Sequence, residues 1–495
     1  MFLNTRLVSR FLMSFFLCLF LSGITTVISQ AQELPITTSS QEAMQLFKEG
    51  RNKLANVQRQ DAAQLFEQAV QKDPDFAQAY IFLAMSSGDF KVINNSLKKA
   101  SELASKATPG EQKFINCIIA QFQGNDAQQK NYLSQLLNEY PNDKIIQLTA
   151  GNFYYGQDDY QTAINHYNKA LAEDSEFAPP YNMIGYAQSQ LGNYSDAEKA
   201  FKKYIALIPN NPNPYDSYAE LLQKTGKYDE SIVQYKKALA IDPNFISSYR
   251  GIGDNYLFKG DYNAARQYYE KQYNNARAIG DKLNAIRWEA LSYIHEGNIP
   301  QAVQTLTKER EMAQQEGQIP DVIGTHLVTA TVLIQTGSPD EGLKHVDEAA
   351  SVMKENTLPE PLKESFHVDV MLNRAHALAM QGQYEKATAE ATEAKKTIDM
   401  RQNQNDMKNW NLIMGVMELQ QKNAEKAMSY LNEADAESPV TWFYKAEAYN
   451  QLGNKDKAQK LYKKTSSWNV NNFGLALVRN MAIERMKGTT TSGAR

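Results

Sequence analysis

Two cysteines are all that this chain of 495 residues carries, and one of them, Cys18, stands in an apolar leader. Cys117 is then without an intrachain partner, so no disulfide holds the fold and packing alone must do it. A basic excess is also missing. The formal net charge is −4, and removing residues 1–31 takes away Arg6 and Arg10 and leaves −6. That balance gives no clustered Lys/Arg face of the kind nucleic acid requires. Apolar residues make up 42% of the chain, enough for packed cores but not suggestive of a multispanning membrane protein.

Chemistry-bearing motifs are scarce too. No Gly-rich phosphate loop is present, since "GIGDNYLFKG" puts Tyr256 where a dinucleotide fingerprint needs its third glycine. The six histidines (His166, His295, His326, His345, His367 and His376) are scattered, and none forms an H-E-x-x-H pair. "HVD" at 367–369 reads as a solvent-facing helical position rather than half a metal site. No two carboxylates stand out as an acid and a base. The expectation is a protein that is not an enzyme, with no catalytic, cofactor-binding or metal residues and no cofactor.

What is there begins with the leader. Arg6 and Arg10 precede "FLMSFFLCLFLSGITTVI", and "SQAQELP" follows. A basic start, an apolar run and small residues near a cut site read as a signal peptide over 1–31, cleaved after Ala31. The alternative is an uncleaved membrane anchor, because the run is nearly long enough to span a bilayer. A lipoprotein site at Cys18 is disfavoured by Phe16 and Leu17, where small residues belong. Export to the periplasm or the extracellular space follows from the first reading.

The rest of the chain repeats itself. Units begin near residues 43, 77, 110, 144, 178, 212 and 246, in steps of 34, 33, 34, 34, 34 and 34. A constant period of this size is the signature of a solenoid. Within the unit at 178, Tyr181, Ile184, Gly185 and Gln188 occupy places four, seven, eight and eleven, which share one helical face. "LGNY" breaks that helix at Gly192, a second helix carries Ala197, Phe201 and Tyr204, and Pro209 closes the unit. Small residues at places eight and twenty (Gly151 with Ala163, Gly185 with Ala197, Gly253 with Ala265) are where the two helices are expected to come close. Cys117 holds an eighth place and reads as packing.

These residues closely resemble the tetratricopeptide repeat family, which places a small residue at eight, Ala at twenty, an aromatic at twenty-four and Pro at thirty-two. The resemblance implies an all-α, right-handed superhelical solenoid of antiparallel helix pairs, about 12 repeats long. It is tightest over 144–277, with similar repeats over 40–143. Beyond 277 the ruler loosens: Ala265, Ala302, Gly342, Ala387, Ala427 and Ala458 are successive twentieth places, 37, 40, 45, 40 and 31 residues apart. Longer repeats are expected over 278–407, further repeats and a capping helix over 408–487, and a disordered tail over 488–495. The capping helix carries Phe473, Leu477, Met481 and Met486 along one side.

Family members line an inner groove with their first helices, and places two, five, nine and twelve point away from the packing face. In this chain that stripe includes Leu148, Asn152 and Tyr155, then Asn182, Tyr186 and Ser189, then Asp216 and Glu220, then Arg250 and Asp254. Asn152, Tyr155, Asn182, Tyr186, Ser189, Asp216, Glu220, Arg250 and Asp254 are the candidate partner-binding residues, suited to an extended, polar or mildly basic peptide. The carboxylate clamp of chaperone-binding relatives is absent, because Leu148 replaces its Lys and Asn213 and Ser217 its basic pair. A scaffold holding protein partners in the cell envelope is the leading expectation. A carbohydrate- or cell-wall-binding protein and an enzyme with a site in 278–407 are the alternatives.

Overall fold

The computed structural model describes residues 33–490, so the leader over 1–31 and its cleavage lie outside the described residues. Within them the chain is twenty-five α-helices and one short 3-10 turn, with no strand. The first three hairpins are α1 (Gln41–Ala55) with α2 (Arg59–Lys72), α3 (Ala77–Ser86) with α4 (Phe90–Leu103), and α5 (Pro109–Phe122) with α6 (Asp126–Glu139). Two regular hairpins follow, α7 (Lys144–Gly156) with α8 (Tyr160–Glu173) and α9 (Pro179–Gln190) with α10 (Tyr194–Leu207). Two more are α11 (Asn213–Lys224) with α12 (Tyr228–Ile241) and α13 (Ile246–Phe258) with α14 (Tyr262–Asn275). Three longer pairs are α15 (Ile279–Glu296) with α16 (Ile299–Gln315), α17 (Ile319–Gln335) with α18 (Pro339–Glu355), and α19 (Glu360–Met380) with α20 (Tyr384–Arg401). Then α21 (Gln404–Gln420) with α22 (Ala424–Glu433) and α23 (Pro439–Gln451) with α24 (Lys455–Ser466) precede the single α25 (Phe473–Thr490). The protein is an all-α helical repeat solenoid of twelve hairpins and a closing helix.

Local chemistry sets the boundaries. Three residues join each regular pair, and the middle one takes the left-handed conformation: Gly192 (φ 78°), Gly226 (78°) and Gly260 (82°), with Asp158 (61°) in the same place. Glycine meets that conformation without a Cβ clash. Where the ruler loosens, the extra residues lengthen the helices: α19 has 21 residues against 12 in α9. The twentieth-place residues Ala163, Ala197, Ala265, Ala302, Gly342, Ala387, Ala427 and Ala458 are each the fourth residue of a second helix, and each is buried. The second hairpin departs from the ruler: α3 has only ten residues, and Ser96 becomes the seventh residue of α4.

Places eight and twenty meet as expected, with Ser231 Oγ donating to the Ala219 carbonyl (2.7 Å). A Cβ on Gly151, Gly185 or Gly253 would come within 2.2, 2.6 or 2.5 Å of the rings of Tyr167, Phe201 and Tyr269. The room at place eight is therefore filled by the aromatic at place twenty-four. A ring needs that gap, and burying one stabilises by about 1.5–3 kcal/mol. Cys117 is fully buried in the first core cluster, and burial pushes its thiol up to about 12, which leaves it inert.

The superhelix closes on itself. Gln60 Nε2 donates to Asp281 Oδ2 (3.1 Å), and Arg277 pairs with Asp61 (3.1 Å). Lys91 Nζ donates to the Glu316 carbonyl (3.0 Å), and Asn403 Nδ2 to the Gly124 carbonyl (3.2 Å). Lys408 pairs with Asp158. The partners sit about seven hairpins apart, so successive turns touch. The closing helix does more than cap. Val478 and Ala482 pack with α23 and α24, whereas Ala476, Phe473 and Leu477 pack with α15 and α16, so two faces are buried instead of one side. Its backbone continues to Thr490, into the segment expected to be a tail.

Candidate functional site

The predicted stripe divides into two parts with different surroundings. In the N-terminal part, α1, α3, α5, α7 and α9 line a cavity of about 460 Å³. Buried Phe82, Phe114, Ile118 and Phe153 and half-buried Leu54, Met85, Leu148 and Met183 form its apolar lining. Asn152 is exposed there and accepts the Tyr167 hydroxyl at 3.0 Å. Asn182 is buried in the same lining, and its Oδ1 has no hydrogen-bond partner. A buried amide oxygen without a donor is uncommon, because its lost hydration is not replaced.

Arg51 lines this cavity beside a pair of rings, 5.7 Å from the centroids of Phe47 and Phe82. Burial lowers its pKa, against the opposing fields of Asp143 and Glu33. Among the described residues it has no ion-pair partner. It also lines an adjoining cavity of about 280 Å³ shared with Glu33, Leu34 and Ile36.

Those last residues belong to an extended strap over 33–40 that crosses the starts of successive first helices. Leu34 N donates to Asp143 Oδ2 (2.7 Å), and Thr37 N and Oγ1 donate to Glu111 (2.7 and 2.6 Å). Ser39 N donates to Asp73 Oδ2 (2.8 Å), and Gln78 Nε2 donates to the Pro35 carbonyl (2.8 Å). Burial alone would push Asp73 and Glu111 up, but the hydrogen bonds from Thr38, Ser39, Thr37 and Thr108 hold both below the usual carboxylate range.

The C-terminal part of the stripe is not an open groove. Ser189, Asp216 and Asp254 are buried, at 6%, 4% and 2% exposure, and so, like Asn182 (8%) in the N-terminal part, do not point to solvent as expected. The returning chain comes up to this part of the stripe: Asn469, Val470 and Asn471 line one cavity with Tyr155, Tyr186, Ser189, Glu220, Arg250 and Asp254. Gln223 Nε2 donates to the Asn469 carbonyl (3.2 Å), and Tyr228 OH to Asn469 Oδ1 (2.7 Å). Asn471 Nδ2 donates to Asp254 Oδ1 (2.7 Å), and Asn471 Oδ1 lies 3.0 Å from His295 Nε2. A cavity of about 250 Å³ remains beside this segment.

A polar network holds these groups. Tyr186 OH donates to Glu220 Oε2 (2.7 Å), Ser248 Oγ to Asp216 Oδ1 (2.6 Å), and Tyr269 OH to Asp254 Oδ1 (2.7 Å). Lys224 Nζ donates to the Ser189 carbonyl (3.1 Å). Arg250 lies 3.6 Å from Asp254 and 3.9 Å from Glu220, with its guanidinium 4.8 Å from the Trp288 ring centroid. Tyr155 meets Tyr160 edge-on at 5.3 Å. Burial, then the Glu220 charge, pushes the Asp216 carboxyl up to about 7.

Reading the sequence by place thus marked the polar residues and passed over Arg51, Phe82 and Phe114. Arg51 holds place nine of the unit at 43 and Phe114 place five of the unit at 110, but the stripe was read only from the unit at 144 onward, and the apolar residues look the same whether they face a core or a cavity. His295, read from the sequence only as one of six scattered histidines, braces the returning segment.

Models of the TPR repeat match residues 219–260, and models of the tetratricopeptide repeat match 47–86, 154–221 and 246–278. Solved structures similar to this chain include MamA, 24% identical, covering 34% of this chain and 95% of that one, with TM-score 0.28. Another is a tetratricopeptide repeat protein from Parabacteroides merdae, 19% identical, covering 55% and 94%, with TM-score 0.35. Yeast Tom70 is 15% identical, covering 85% and 96%, with TM-score 0.43. No curated protein sequence matches the chain.

Proposed function

The chain is a tetratricopeptide-repeat protein, and from that premise we propose a non-enzymatic scaffold that seizes a segment of a partner polypeptide in its N-terminal groove. The observation carrying this reading is the apolar cavity of about 460 Å³ with the unpartnered Asn182 Oδ1 in its lining. An amide N–H of an extended peptide supplies the donor that Asn182 lacks, while its apolar side chains fill the space beside Leu148, Met85 and Met183. Arg51 favours a carboxylate on the same peptide. The strap over 33–40 supports the mode of binding, since backbone N–H groups of an extended segment already meet side-chain carboxylates across these repeats. The leader with Arg6 and Arg10 supports an exported protein working in the envelope.

A photo-crosslinker at position 148 of the full mature chain, activated in cells, should trap one defined polypeptide. A synthetic peptide from the trapped segment should then bind, and Leu148→Asp or Met183→Asp should weaken it more than about tenfold, since burying such a side chain is worth about 1.5–3 kcal/mol. Both positions are half-buried, so the variants should keep the parent melting temperature to within a few degrees. Absence of a trapped polypeptide, or unchanged binding by both variants, would remove this reading.

A further inference from the structure

The longer repeats bring together two histidines and a glutamate that the sequence keeps 19 and 22 residues apart. His326 is on α17, and His345 and Glu348 are one turn apart on α18. His326 Nδ1 lies 3.1 Å from His345 Nδ1 and 3.0 Å from Glu348 Oε2, and His345 Nδ1 lies 3.1 Å from the same oxygen. Hydrogen bonds alone do not account for this triangle. Two neutral imidazoles bring at most two protons to the three atoms, which leaves one close pair facing lone pair to lone pair or proton to proton. A cation at the centre satisfies all three atoms at once.

We propose that His326 Nδ1, His345 Nδ1 and Glu348 Oε2 form a binding site for a first-row divalent metal ion of the zinc class. Imidazole and carboxylate donors suit such ions. A zinc ion bonded at ~2.1 Å with tetrahedral angles holds its ligands ~3.4 Å apart, so closing the site needs shifts of only a few tenths of an ångström. The imidazole side chains are 8% and 19% exposed and Glu348 is 55% exposed, so the site has a dry wall and a solvent-facing mouth. The fourth position is left for water or for a ligand from outside the chain. A neutral imidazole is the form that binds metal. Bound there, the ion clips α17 to α18 within one hairpin. This proposal is independent of the groove reading.

The test uses the full mature chain without a histidine tag, stripped with chelator and titrated with Zn²⁺ by calorimetry, with Co²⁺ as a visible-absorption probe. The expected result is one ion per chain and the d–d bands of a four-coordinate cobalt site. His345→Ala and Glu348→Gln should each weaken binding at least tenfold. The half-exposed Glu348 variant should keep the metal-free melting temperature, which separates lost ligation from lost fold. No stoichiometric ion, or binding unaltered in both variants, would overturn the proposal.

Discussion

Gly185 packs under the Phe201 ring with no space for a methyl group, since an added Cβ would stand 2.6 Å from it. Gly185→Ala should therefore destabilise the chain by roughly 1–3 kcal/mol through overpacking, read as a lower melting temperature. Asp216 gives a second prediction at this scale. Its folded pKa of about 7 lies above the usual carboxylate value, so the folded state holds its proton more tightly than the unfolded one. The carboxyl's stabilising contribution is full below about pH 4 and is lost as pH rises through about 7. Asp216→Asn keeps the shape and the acceptor for Ser248 Oγ but removes the titration. The stability difference between variant and parent should be small at pH 4 and should favour the variant by a few kcal/mol at pH 8, at roughly 1.4 kcal/mol per pKa unit. Denaturant melts of both proteins across pH 4–8 check it. The position of Asp216 on a first helix was legible in the sequence, whereas its burial was not, because Ser248, which donates to it, belongs to the next repeat.

At the scale of an element, the strap over 33–40 is held by carboxylates whose pKa values are depressed. Asp73 and Glu111 thus contribute stability above the usual carboxylate range, and that contribution is lost as pH falls through it and below. The strap should loosen first in acid, ahead of the helices. Hydrogen exchange at Leu34, Thr37 and Ser39 should speed up on acidification beyond the intrinsic pH effect, and Glu111→Gln should speed it already at neutral pH. The helices themselves were readable from spacing. Periodicity of three and four with a left-handed stop is a local property, so even the long repeats kept their small residue at the fourth position of the second helix. The strap was not readable, because an extended segment bound by side chains carries no period.

For the whole molecule, the contact of the returning segment with the inner face decides compactness. Asn471 joins Asp254 to His295 across residues more than 170 apart in sequence. Asn471→Ala leaves the buried Asp254 carboxylate short of a donor, a loss of about 1–3 kcal/mol. Its melting temperature should fall, and small-angle scattering should report a larger radius of gyration as the closing helix detaches from α15. An unchanged scattering curve at lowered stability would mean that packing of α25 alone holds the turns together.

The sequence by itself determined the repeat: twelve helix pairs, their stops, and the small and aromatic places that interlock them. Those follow from helical geometry and side-chain volume within about 34 residues, where the chain's own spacing sets the distances. Only the tertiary structure decided what the inner face touches. It closed the stripe at Asp254 with the chain's own Asn471, left the cavity beside Leu148 and Asn182 open, and joined His326 to His345 and Glu348. Small rotations between neighbouring hairpins accumulate over about seven of them before two turns meet, and no short-range pattern records that sum.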